Sequence, residues 1–151
     1  MAEPERTTHD GGCHCGAVRF RVTLAEPLSS ARRCTCSYCR MRGAVVVSAA
    51  LGDLEVMQGA DRLTVYRFNT GTAQHHFCSV CGIYTHHRRR SNPKELGVNV
   101  ACLDGVSPFD FECVTVFDGV RHPSDEPDNL DRVAGELRFV RNAGGAGEPS
   151  T

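Results

Sequence analysis

The sequence of 151 residues contains no tryptophan, and aromatic residues make up only 7% of it. So few rings argue against the stacking surface that single-stranded nucleic acid requires. Long hydrophobic runs are missing as well. The longest, Ala44 to Val47 with Ala49 to Leu51 close by, is far too short to span a bilayer. Met1 to Asp10 hold no apolar run, so neither a secretory signal nor a membrane anchor is expected. An excess of charge of one sign is also absent. The 17 Lys and Arg residues stand against 18 Asp and Glu, a formal net charge of -1 that gives no general attraction to nucleic acid or membrane surfaces. The expectation is a cytoplasmic protein whose thiols stay reduced.

Cysteine, by contrast, is plentiful. The odd count of nine fits a disulfide framework poorly, and seven of the nine fall into three tight clusters. These are Cys13-His14-Cys15, Cys34-Thr35-Cys36-Ser37-Tyr38-Cys39 and Cys78-Ser79-Val80-Cys81. Thiols spaced by one or two residues read as zinc sites, of which closed structural ones take four ligands and open catalytic ones three. Seven therefore divides into one closed and one open site, giving two zinc ions per chain. In a small domain without tryptophan, a structural site contributes about 10 kcal/mol to folding.

Spacing leaves two pairings. Cys36 and Cys39 with Cys78 and Cys81 make a ribbon that leaves Cys13, Cys15 and Cys34 as a looser set. Alternatively Cys13, Cys15, Cys78 and Cys81 close one site while Cys34, Cys36 and Cys39 form a compact three-ligand site. The second is favoured, because three thiols within six residues can wrap one face of an ion and leave the other free. Gly16 and Gly82 follow their pairs, where positive φ costs glycine nothing. Both zincs being structural, with His14, His75 or His86 as an eighth ligand, is the plainer alternative. Cys102 and Cys113 stand alone in strand-like runs and read as small buried apolar residues.

Around these clusters the pattern is β. Val18, Phe20, Val22 and Leu24 alternate with Arg19, Arg21 and Thr23, as in a half-buried strand. Further strands are expected at 43–48, 54–57, 63–68, 74–77, 83–87, 96–101, 113–117 and 137–140, separated by turn formers such as Asn69-Thr70-Gly71 and Asp118-Gly119. Connections this short leave little room for helical crossovers, so an all-β, mainly antiparallel fold is expected. One short helix is expected near Asp128 to Ala134. Residues 1–10 and 143–151 read as disordered ends of a single domain over 11–142.

Three runs make the pattern specific: Gly12-Cys13-His14-Cys15-Gly16-Ala17-Val18, Cys34-Thr35-Cys36-Ser37-Tyr38-Cys39-Arg40 and Phe77-Cys78-Ser79-Val80-Cys81-Gly82-Ile83. In order and content they resemble the family of glutathione-dependent formaldehyde-activating enzymes (GFA), which includes the centromere protein V domain. The resemblance covers about residues 11–118. It implies a β-tent fold of small stacked sheets, a structural zinc on Cys13, Cys15, Cys78 and Cys81, and a catalytic zinc on Cys34, Cys36 and Cys39. It further implies a carbon-sulfur lyase like S-(hydroxymethyl)glutathione synthase, with glutathione and formaldehyde, or another small aldehyde, as partners.

Tyr84 to Pro93 carries a local basic stretch, Arg88-Arg89-Arg90, directly after the last cysteine pair. Near a metal site such arginines suit the carboxylates of an anionic thiol; elsewhere they form a solvated turn. Arg40 and Arg42 flank the three-cysteine cluster and read as substrate contacts or surface residues, while His86 and His87 are given no role. The competing function is a non-catalytic, zinc-stapled β-module that binds protein or nucleic acid.

Overall fold

The computed structural model describes residues 5–121, 125 and 132–143. Among them ten strands and one short α-helix are found. The strands are β1 (Thr8–Gly12), β2 (Arg19–Leu24), β3 (Arg32–Cys34), β4 (Val46–Gln58), β5 (Leu63–Tyr66), β6 (Gln74–Cys78), β7 (Tyr84–Arg88), β8 (Glu95–Asn99), β9 (Val114–Phe117) and β10 (Val133–Leu137). The helix, α1 (Ser37–Arg42), sits between β3 and β4.

Hydrogen bonds link the strands in the order β10-β9-β3-β4-β8-β7-β6-β5, with β1 and β2 branching from β4. All pairs are antiparallel except β3 with β9. The all-β, mainly antiparallel reading of the sequence is what the structure shows. Long β4 is the hub. Its first half pairs with β3 and β8, its second half with β2, so the two regions expected at 43–48 and 54–57 are parts of one strand.

The alternation in β2 does what the pattern predicts: Phe20, Val22 and Leu24 are buried. They pack with Val47, Ala49, Leu96, Val98 and Val114 from β4, β8 and β9 into the main core. A second, smaller cluster forms around Cys13, Val18 and Cys78. The core thus ends where the first cysteine group begins.

Three expectations are corrected. Thr8 to Asp10, assigned to a disordered end, form most of β1 and pair with Thr23, Val22 and Arg21. Val133 and Ala134, assigned to a helix, begin β10, because Val133 pairs with Phe117 and Gly135 to Leu137 with the rest of β9, Ala134 falling at an irregularity between them; Asp128 to Asp131 lie outside the described residues. The strand expected at 137–140 is displaced toward the N-terminus and shares only Leu137 with β10. Among the described residues, no helix is long and apolar enough to cross a membrane.

Candidate metal centres and the cavity beside them

The seven clustered cysteines come together as four and three. Cys13, Cys15, Cys78 and Cys81 form one group and Cys34, Cys36 and Cys39 the other, with the sulfurs of each group within 4.8 Å of one another. Either group could hold a metal ion. The ribbon pairing of Cys36 and Cys39 with Cys78 and Cys81 is not formed.

The four-cysteine group is built from two similar turns. After β1, Cys13 N–H donates to Val18 O and Gly16 N–H to Cys13 O; after β6, Cys78 N–H donates to Ile83 O and Gly82 N–H to Cys78 O. Both glycines take positive φ, 80° and 79°. Backbone N–H groups also point at sulfur, from Val18 to Cys13 Sγ at 3.3 Å and from Val80 to Cys78 Sγ at 3.4 Å, which favours thiolate. Sulfur separations of 3.6 Å for Cys13–Cys15 and 3.8 Å for Cys15–Cys78 match the roughly 3.8 Å edge of a tetrahedron with zinc–sulfur bonds of about 2.3 Å. The donor set therefore fits zinc.

The three-cysteine group straddles the end of β3 and the start of α1. Cys36 caps the helix, its sulfur accepting the Cys39 N–H, and Gly43 closes the other end with φ 70°. Thr35 pins the loop to the end of β9: its hydroxyl donates to Phe117 O and accepts from Gly119 N–H, both at 3.0 Å. Gly119 lies so close that a Cβ there would stand 2.3 Å from Cys34 Sγ. Hydrogen bonds from the Cys34 and Cys39 thiols hold Cys36 far below the ordinary thiol range, while Cys34 is pushed up by Cys36, and Cys39 by Cys34 and Cys36. Without a cation, one thiolate forms at the expense of the others; three require a metal ion.

These three cysteines open on a cavity of about 690 Å³, a size suited to a small-molecule ligand. Its wall is strongly basic. Arg32, Arg33, Arg40, Arg42, Arg89, Arg90 and Arg132 face Glu95, Asp118 and Asp125, seven cations to three carboxylates. Arg40 and Arg42 both reach the cavity. Of the basic stretch, Arg89 and Arg90 line it, whereas Arg88 turns to donate to Pro93 O. Arg89 keeps only 12% of its side chain exposed, so it is no part of a solvated turn.

Sequence reasoning missed Arg32, Ser48, Tyr84 and the part played by His75 and His87. Arg42 lies 3.7 Å from the Tyr84 ring centroid, and donates to Cys39 Sγ while its other Nη lies 3.0 Å from His75 Nδ1. Tyr84 hydroxyl in turn meets His87 Nδ1 at 2.5 Å. Burial lowers the pKa of His75 to about 4 and that of His87 well below its usual value, Arg42 adding to both shifts. Both rings are therefore neutral at pH 7. No histidine nitrogen joins either sulfur group among the described residues. His75 lines the cavity, His14 is exposed, and His86 is buried against Thr85 and His76. Cys102 is buried as expected and donates to Tyr84 O; Cys113 is only partly so.

A family model described as glutathione-dependent formaldehyde-activating enzyme matches residues 8–115. A Halomonas elongata protein provisionally named a glutathione-dependent formaldehyde-activating enzyme is 38% identical over 80 residues, covering 48% of this chain and 50% of the relative. The matched stretch thus spans half the length of that relative. The crystal structure of a Rhodobacter sphaeroides protein is similar at a TM-score of 0.66 and 59% identity, covering 67% of this chain and 93% of that one.

Proposed function

From its place in the family of glutathione-dependent formaldehyde-activating enzymes, to which this chain belongs, we propose that it promotes addition of a thiol such as glutathione to formaldehyde or another small aldehyde. The observation that carries this reading is the opening of Cys34, Cys36 and Cys39 onto a basic cavity. A group of sulfurs needed only for stability has no reason to face such a space.

Cys13, Cys15, Cys78 and Cys81 would hold a structural zinc and Cys34, Cys36 and Cys39 a second one. When bound by three thiolates, zinc supplies a fourth position in which an incoming thiol is acidified yet stays nucleophilic. In the reaction the thiolate sulfur forms a bond to the aldehyde carbon. The carbonyl electron pair moves to oxygen, which takes up a proton from water, and glutathione with formaldehyde yields S-hydroxymethylglutathione. Run in reverse, the carbon–sulfur bond breaks, which places the enzyme among carbon-sulfur lyases.

The chain's own residues bind and orient. The cavity holds the thiol with its sulfur toward the three cysteines, and Arg42 donates a hydrogen bond to the Cys39 sulfur. His75 and His87, kept neutral, do not add to the positive charge. Because this addition also proceeds in water, positioning is the main contribution expected.

The test is an exchange measurement with ¹³C-formaldehyde and glutathione, with and without the zinc-loaded protein. Faster exchange, abolished in Cys36→Ser with the fold intact, supports the proposal. No acceleration together with no thiol binding at the three-cysteine site would leave the non-catalytic β-module as the better reading.

A further inference from the structure

Two guanidinium groups in the cavity wall share one uncharged partner. Arg32, on β3, donates through Nη2 to Ser48 Oγ at 2.8 Å, and Arg89, just beyond β7, donates through Nη2 to the same oxygen at 3.1 Å. Ser48 is 2% exposed, so these contacts are made away from bulk water. A serine hydroxyl cannot neutralise two cations. Glu95 stands 3.9 Å from Arg89 Nε with 41% of its side chain in solvent, too far for a hydrogen bond. That Nε is buried without a hydrogen-bond partner among the described residues. Burial, with the charge of Arg32 added, lowers the pKa of Arg89 to about 10.

Like charges held together away from water are costly unless an anion joins them. Guanidinium edges match a carboxylate in particular, offering two parallel N–H groups to its two oxygens. Both arginines line the cavity that holds the three cysteines, so an anion on them shares a space with the proposed thiol seat.

We propose that Arg32 and Arg89, tied through Ser48, form a clamp for a carboxylate of the thiol substrate, holding its backbone while its sulfur faces Cys34, Cys36 and Cys39. The pair is thereby a specificity determinant, selecting a thiol with a free carboxylate over one whose carboxylates are masked. This rests on the thiol-addition reading above.

The probe is S-methylglutathione, which has both carboxylates and no free thiol, compared with its diethyl ester by calorimetry on the zinc-loaded full chain. The acid is expected to bind about tenfold or more tightly than the ester, the worth of one charge-assisted pair. Arg32→Gln and Arg89→Gln are each expected to bring the two forms to within about twofold. Arg89→Lys, which keeps the charge but not the fork, gives an intermediate preference and a variant that needs no change of charge to fold. Equal binding of acid and ester to the unaltered protein overturns the clamp, as does failure of the acid to bind. An acid preference that survives both glutamine variants overturns it too. Because the probe lacks a thiol, a preference lost in the variants supports the clamp even where formaldehyde addition is not accelerated. Acceleration that is equal for glutathione and its diester defeats the clamp while leaving the thiol-addition reading intact.

Discussion

Arg42 donates from Nη2 to the sulfur of Cys39 at 3.3 Å, one turn earlier in the same helix. The guanidinium is held there by the face of Tyr84, 3.7 Å away, and by His75. A group that hydrogen-bonds a metal ligand from the outside fixes its orientation, and removing such groups typically costs 10- to 100-fold in metal affinity.

Arg42→Met is therefore expected to release metal from the three-cysteine group about tenfold faster or more to a coloured chelator, with the four-cysteine group unchanged. Arg42→Lys is expected to behave almost as badly, since an ammonium cannot stack on Tyr84 in the same way. Unchanged release kinetics in both variants would show that Arg42 does not support Cys39.

Gly119 offers a more local test. Its Cβ would stand 2.3 Å from Cys34 Sγ and 2.5 Å from Cys36 N, so Gly119→Ala has to displace the cysteine loop. Elemental analysis is expected to fall from about two metals per chain to about one, consistent with closure of the four-cysteine site alone. Retention of both ions with full thiol binding would mean that the loop yields without loss.

The two groups are expected to differ in what they sustain. Cys81 belongs to the four-sulfur group that joins the turn after β6 to the turn after β1; with a structural zinc held there, as proposed, Cys81→Ser should cost several kcal/mol or prevent folding, out of the roughly 10 kcal/mol such an ion contributes. Cys36→Ser should leave most of the β-structure while thiol binding disappears. Urea unfolding followed by circular dichroism separates the two; equal destabilisation falsifies the division of roles.

Acid should weaken the fold through histidine as well as through the cysteines. Burial lowers the pKa of His75 to about 4 and that of His86 to about 3. In the unfolded chain both titrate near 6.5, so below that pH the unfolded state binds more protons. Their contribution is complete above pH 6.5 and is lost as the pH falls toward 4 and then 3. A loss on the order of a few kcal/mol is expected between pH 7 and 4.5. Denaturant midpoints measured with metal content followed in parallel distinguish this from metal release. In His86→Phe the decline should be shallower; an identical slope would remove His86 from the account.

Much of the fold was legible because its signals are local. Alternation in Arg19 to Leu24 marked β2, and β-rich runs bounded by turn formers marked β6, β7 and β9. Thr8 to Gly12 gave no such signal, since Thr-His-Asp-Gly-Gly has no apolar face; it is a strand only because β2 offers it a register. Ser37 to Arg42 lacks helical periodicity over its six residues, and its helix depends on the Cys36 cap and Gly43. β10 owes its place to pairing with β9 across a break in the apolar pattern at Gly135 and Glu136.

The sequence by itself determined the type of ligand atom available. The spacing of its cysteines supplied seven thiols in sets that two ions can share, and the turn after each outer pair was encoded by Gly16 and Gly82. What only the tertiary structure decided is which sulfurs meet and what surrounds them. Cys15 and Cys78 are 63 positions apart, yet their sulfurs lie 3.8 Å from each other. Arg32, Ser48 and Arg89 come from β3, β4 and the residue after β7, so no local spacing announces their meeting. Ligand type and turn geometry are properties of neighbouring residues, whereas a cavity and its charge arise from long-range pairing of strands that brings distant side chains to one wall.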